Sequence, residues 1–254
     1  MRSELESFPV GRTSAGLREP LWAFAAATAL AAGLAALGAV VPFVRDNLHA
    51  PIAIIFLYMP AFAARRAGRE FDYADAGLRA DPIGLNLAVL GAFVALTLPA
   101  FAIGFFVFYG HVCTIPANQM THLFGGLCRH WLGPAGGHLR LPPRFLLLAF
   151  SQLVVVAIPE ELFFRGYLME RLEQVWPPTR NLFGAKVGWA LVVSSALFAL
   201  GHLLVIPNPQ RLAVFFPALV FGWMRARTGS IAAGATFHAL CNVVSDVLHT
   251  SYFG

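Results

Sequence analysis

Charge is what this chain most lacks: Asp, Glu, Lys and Arg make up 12% of its 254 residues, against about a quarter in a soluble domain. With 58% hydrophobic residues and a mean hydropathy of +0.68, that scarcity excludes an ordinary water-soluble globule. Lysine is confined to Lys186, so the net charge of +5 rests on arginines scattered between apolar runs. They form no basic stripe with interleaved aromatics, which excludes nucleic acid as a partner and leaves membrane orientation as their use. The arginine bias and abundant alanine point to a GC-rich bacterial source. Cysteine is limited to Cys113, Cys128 and Cys241, none at metal-ligand spacing. Also missing are a Gly-x-Ser-x-Gly elbow, a Gly-x-Gly-Asp aspartyl motif and a zincin His-Glu-x-x-His helix. No internal repeat of the kind that marks many transporters is evident.

Apolar runs near the roughly 20 residues that a bilayer demands are plentiful. They read as seven spans, Leu21 to Val44, His49 to Ala64, Ile83 to Tyr109, Phe145 to Tyr167, Val187 to Ile206, Leu212 to Met224 and Ile231 to Leu248. The expected fold is therefore an all-α polytopic membrane bundle of about seven helices, with eight as the alternative count. Residues 1–20 read as a cytoplasmic N-terminal segment and 21–254 as a single integral-membrane domain. The first run is too long for a signal-peptide core, so it is expected to stay as an anchor. If the N-terminus is cytoplasmic, twelve basic residues fall in inner segments and five in outer ones (Arg45, Arg129, Arg140, Arg144, Arg211). The positive-inside rule then favours a multi-pass inner-membrane protein with its N-terminus inside and its C-terminus outside.

One long polar connection, residues 111–143, faces outward in that arrangement. Ile115, Met120, Leu123, Phe124, Leu127 and Trp131 recur in it at helical spacing, which predicts a helix lying on the bilayer surface. An oxidising side permits a Cys113–Cys128 disulfide, although two cysteines in an irregular loop commonly stay free. His111, His122, His130 and His138 match no ligand spacing, so no metal is expected there.

Against this background three polar constellations stand out. Ionisable groups at bilayer depth cost about 2.5 to 3.5 kcal/mol each on insertion scales, so their default reading is a functional site. Glu160, Glu161 and Arg165 follow Ile158-Pro159; Pro159 cannot bond back to Val155, which predicts a kink or a restart. Successive helical residues point about 100° apart, so Glu161 can pair with Arg165 at i,i+4 while Glu160 stays free for chemistry. The competing reading is a buried ion-pair lock with Glu160 as a bystander. His202 follows Phe198 by four residues, and Gly201 beside it would let a neighbouring backbone approach. His238 and Asn242 share a face at i,i+4, whereas Cys241 is expected to point off it. A carboxylate, two imidazoles and a carboxamide suffice to activate water and hold an oxyanion, while the bland alternative is a set of interhelical polar contacts. Depth poses a difficulty, because His202 lies about six residues, roughly 9 Å, past the centre of its run.

At this point the motifs carry a resemblance. Glu160-Glu161-Leu162-Phe163-Phe164-Arg165 resembles the EExxxR motif of the CAAX protease and bacteriocin-processing (CPBP) family of integral-membrane proteases. Phe198 to His202 is similar to its FxxxH motif and His238 to Asn242 to its HxxxN motif. The run Arg227-Thr228-Gly229-Ser230-Ile231 is similar to the segment that precedes the last motif. The likeness covers about 145–247. It implies an intramembrane endopeptidase that cuts near the C-terminus of a membrane-anchored protein or peptide. Under it Glu160 would take a proton from water, His202 would orient that water, His238 and Asn242 would hold the oxyanion, and Glu161, Arg165 and Phe198 would support them. It implies no cofactor; zinc on Glu160, His202 and His238 is the alternative. The rival class is a non-catalytic scaffold or bacteriocin-immunity protein using the same cluster as a lock.

Overall fold

A computed structural model describes residues 10–114 and 128–253. Among them the chain forms α1 (Val10–Gly38), α2 (Pro42–Asp46), α3 (His49–Arg66), α4 (Ile83–Val112) and α5 (Phe145–Glu173). A hairpin of β1 (Arg180–Leu182) and β2 (Ala185–Val187) follows, then α6 (Trp189–Val205), a 3-10 turn Pro209–Val214, α7 (Phe215–Thr228) and α8 (Ala232–Phe253). Each of the seven expected segments carries a helix. By length and composition, however, three described segments can cross a membrane: Gly16–Gly38, Ile83–Val112 and Phe145–Glu173. The Trp189–Val205 helix is apolar but shorter. The protein is thus a helical membrane protein, and α4 shows why: of its 30 residues only Asn86 and Val89 are buried, and Leu96 and Ile103 are exposed. A helix apolar all round finds its partner in lipid.

Several boundaries differ from those expected. The first run is not one helix to Val44, because the chain turns after Gly38 and resumes at Pro42. A Cβ at Gly38 would lie 3.2 Å from the Arg45 backbone, so the turn closes tightly there. The expected restart at Pro159 does not occur. The helix runs through it, flanked by π-helical turns over Gln152–Ala157 and Leu162–Leu168. The wider i→i+5 bonding skips the missing donor. The hairpin had no sequence signal of the Asn-Gly kind; Phe183 and Gly184 both take positive φ, 50° and 80°, as a two-residue hairpin turn requires. Most residues of the expected surface helix, 115–127, lie outside the described residues, and 128–143 is turn and coil. Cys113 and Cys128 are joined, against the commoner fate of loop cysteines.

Two apolar clusters hold the bundle. Phe24, Phe56, Phe163, Phe164, Leu172 and Phe198 pack α1, α3, α5 and α6 together, and Val89, Phe221, Met224 and Phe237 join α4, α7 and α8. Loop 67–82 is pressed against α5 and α8. Ile231 donates to the Gly77 carbonyl at 2.9 Å, and a Cβ on Gly166 would come within 2.5 Å of the Ala76 carbonyl. Only glycine fits that contact.

Candidate active site

The two adjacent glutamates of α5 point to different neighbours and end in different states. Glu161 is satisfied. Its Oε1 lies 3.0 Å from Arg165 Nη1 and 3.0 Å from His238 Nδ1, and carboxylate and guanidinium are each 1% exposed. Burying that pair is costly unless further contacts complete it. Here Arg165 Nη2 donates to the Ala218 carbonyl at 3.2 Å. Its guanidinium lies 4.4 Å from the Phe198 ring centre and 5.4 Å from that of Phe221. Phe221 in turn stacks on His238, centroids 4.8 Å apart. Phe198 therefore stacks against the cation that anchors the neighbouring motif, and its own carbonyl lies 2.9 Å from His202 Nδ1.

Glu160 is unsatisfied. Its Oε2 is buried with no hydrogen-bond partner among the described residues, although its side chain is 14% exposed. Two imidazole nitrogens face that oxygen, His202 Nε2 at 3.9 Å and His238 Nε2 at 3.8 Å. The tautomers follow from the acceptors. A carbonyl can only accept, so His202 Nδ1 carries the proton; Glu161 Oε1, which also faces Arg165 Nη1, likewise accepts from His238 Nδ1. In neutral rings both Nε2 lone pairs are thereby turned toward Glu160. Separations of 3.8 and 3.9 Å exceed a direct hydrogen bond and suit a bridging water.

These groups line a cavity of about 590 Å³ shared with Asn242, Gln152 and Asp246. Asn242 is not in contact with Glu160; its Nδ2 donates to Gln152 Oε1 at 3.0 Å, and Gln152 Nε2 donates to Asp246 Oδ2 at 3.3 Å. Gln152 and Asp246 were missed in the sequence. The signal was there, since Gln152 precedes Glu160 by eight residues and Asp246 follows His238 by eight, both polar groups in apolar runs. His49 was missed too. It opens α3 and borders both this cavity and a smaller one of about 100 Å³ between α1, α3 and α6.

Two expectations are corrected. Cys241 lines the same cavity as His238, because residues three apart share a helix face. Gly201 meets side chains rather than a backbone, with a Cβ there 3.6 Å from Phe24 and 3.8 Å from Phe164. Ser194 and Ser195 bond back to the Leu191 carbonyl and border neither cavity. The depth difficulty resolves itself. Wall residues His49, Ile206, Asn208 and Arg211 put the cavities where α3 begins and α6 ends, so a histidine near the end of α6 belongs there.

Residues 142–244, which contain all three motifs, match the family model described as type II CAAX prenyl endopeptidase Rce1-like. Neither the curated proteins nor the solved structures yield a match to the chain.

Proposed function

From the match of residues 142–244 to the Rce1-like type II CAAX prenyl endopeptidase family model, we propose that Glu160 activates a water for peptide hydrolysis within the membrane. The observation that carries this reading is the orphaned Glu160 Oε2 with two Nε2 atoms turned toward it. A water between them would meet two to three polar partners, as an ordered buried water requires. Its oxygen attacks the carbonyl carbon as its proton passes to Glu160, and collapse of the tetrahedral adduct returns that proton to the leaving amine. His202 accepts from the water and aims it. His238 takes a proton from solvent at Nε2, which turns it into a donor whose charge Glu161 offsets. As a donor it joins the Asn242 carboxamide at the oxyanion, where a fixed donor is worth about 3 to 4 kcal/mol. The substrate is a membrane-anchored protein or peptide cut near its C-terminus.

A second reading has one observation in its favour. Both histidines have Nδ1 engaged and Nε2 free, the arrangement of imidazoles that ligate zinc, so with Glu160 they would supply the Lewis-acid chemistry of a metal. Ligands on tetrahedral zinc stand about 3.3 Å apart, closer than the 3.8 and 3.9 Å seen here. Among the described residues no three such groups cluster tightly enough to hold a metal ion. The metal-free form stays the primary proposal, and metal content separates the two.

One set of measurements tests both. Glu160→Gln is expected to abolish release of C-terminal fragments from membranes of the native host while leaving the melting temperature unchanged. Purified wild type should hold far less than one equivalent of zinc and keep its activity after exhaustive chelation. Near-stoichiometric zinc lost together with activity in His202→Ala and His238→Ala would instead establish the metal form.

The arginines orient the site. Arg65 and Arg66 end α3, Arg180 and Lys186 precede α6, and Arg225 and Arg227 close α7, all at the ends remote from the cavity. With the N-terminus cytoplasmic, the cavity and the Cys113–Cys128 disulfide share the outer half, where a disulfide persists.

A further inference from the structure

Among the polar groups in the cavity that have no part in the mechanism as written, two are linked to the carboxamide assigned to the oxyanion, Gln152 directly and Asp246 through it. Gln152 on α5 and Asp246 on α8 form a chain with Asn242, in which Asn242 Nδ2 donates to Gln152 Oε1 and Gln152 Nε2 donates to Asp246 Oδ2. Carboxamides are ambiguous by nature, since turning one over exchanges its donor and its acceptor. An ionised carboxylate is not, because it can only accept. Asp246 therefore requires Gln152 to present its NH₂, which turns the Gln152 oxygen to Asn242 and so requires Asn242 to present its own NH₂. The direction is imposed from one end and passes through two amides.

We infer that Asp246 and Gln152 are positioning residues that set the polarity of the Asn242 carboxamide, so that its second N–H remains free to meet negative charge in the cavity. Without that constraint Asn242 could turn its oxygen toward the same place, and an acceptor there repels an oxyanion. This assignment rests on the proposed role of Asn242. The ladder is built into the helices. Asn242 and Asp246 stand four apart on α8 along the line of His238, while Gln152 stands on α5 eight residues before Glu160. Residues eight apart in an α-helix diverge by about 80°, and the slower winding of the π turn at Gln152–Ala157 closes part of that angle. One stretch of cavity wall thus carries the reacting carboxylate, and the group that steers the carboxamide precedes it along the helix.

The test depends on restoring polarity, not merely on removing a bond. Host membranes lacking the chain serve as substrate, fragment release by purified variants is read by mass spectrometry, and rates are taken at limiting and saturating membrane load. Gln152→Leu is expected to lower the saturating rate by roughly tenfold to a hundredfold with little change in half-saturation. Asp246→Asn should lower it as well, because an amide in that place can be turned over and no longer dictates the direction of the chain. The double variant Q152E/D246N should recover most of the rate: the carboxylate then sits in the middle and accepts from amides on both sides, leaving Asn242 as it was. Failure of the double variant to exceed D246N, with both folded by thermal melt, overturns the assignment. An arm independent of activity uses the full chain in detergent with ¹⁵N-labelled side-chain amides. The Asn242 NH₂ signal, identified by its loss in Asn242→Ala, should shift on Asp246→Asn; an unmoved signal also overturns the assignment. The two levels of argument fail differently. If Glu160→Gln leaves fragment release intact, the hydrolytic reading falls while the amide coupling stands on its own arm. If Glu160→Gln is dead but Gln152→Leu is fully active, the polarity chain alone falls.

Discussion

The two ends of the helix bundle are built differently. At the arginine-rich end a carboxylate gathers its partners: Glu19 takes Arg69 and Arg171 together and accepts from Tyr167, and Ser230 ties loop 67–82 through the Arg79 carbonyl. Burial there lowers the pKa of Arg225, just past the expected sixth span, and Glu170 and Glu173 pull it back up. At the cavity end a buried carboxylate oxygen has no partner and the neighbouring imidazoles stop short of it. Closure at one end stabilises the fold, and incompleteness at the other leaves room for reacting atoms. The boundary between them runs through two successive residues, Glu160 and Glu161.

The sharpest way to break that contrast is to exchange the fates of the two glutamates. Glu160→Gln should remove cleavage entirely and leave the melting temperature within error of wild type. Glu161→Gln should destabilise by about 3 kcal/mol, because a guanidinium that is 1% exposed loses its counter-charge; denaturant titration in detergent reads the difference. A Glu161→Gln protein that folds normally, beside a Glu160→Gln protein that still cleaves, would reverse the roles. Smaller effects belong to the paired end. Gly166→Ala should cost about 1 to 3 kcal/mol by pushing loop 67–82 off α5, and Glu19→Ala about 2 kcal/mol by freeing two arginines. In both, folded protein should cleave at the wild-type rate. The smallest perturbation addresses orientation. In a cysteine-free background, single cysteines replacing Arg69 and Arg227 should resist an impermeant thiol reagent in intact cells, and one replacing the exposed Leu139 should react. Labelling at Arg69 would sink the orientation proposed above.

Much of this was legible in residue order because the physics involved is local. The Glu161–Arg165 pair follows from i,i+4 geometry, and the helices follow from apolar runs of bilayer length. What escaped detection depends on contacts between helices. That Glu161 also holds His238, across 77 positions of sequence, cannot be read from spacing along one helix. The disulfide needed two loop ends brought to a Cα separation of 5.4 Å. The hairpin escaped because its turn uses Phe183 in a left-handed conformation, where composition favours Asn or Gly. Cys241 was misplaced by treating four-residue spacing as the only shared face.

The π turns on either side of Pro159 give α5 a register that cannot be edited freely. Such a turn accommodates an extra residue in what is otherwise an α-helical ladder, so removing one residue between 152 and 157 would let the segment relax to α geometry. Residues on its N-terminal side would then keep their faces, whereas a further inserted residue would turn them by about 100° and carry the Gln152 side chain off Asn242 while Glu160 and Glu161 stayed where they are. A one-residue insertion in an apolar stretch, invisible to any measure of hydropathy, would thus separate the reacting carboxylate from the amide that serves it.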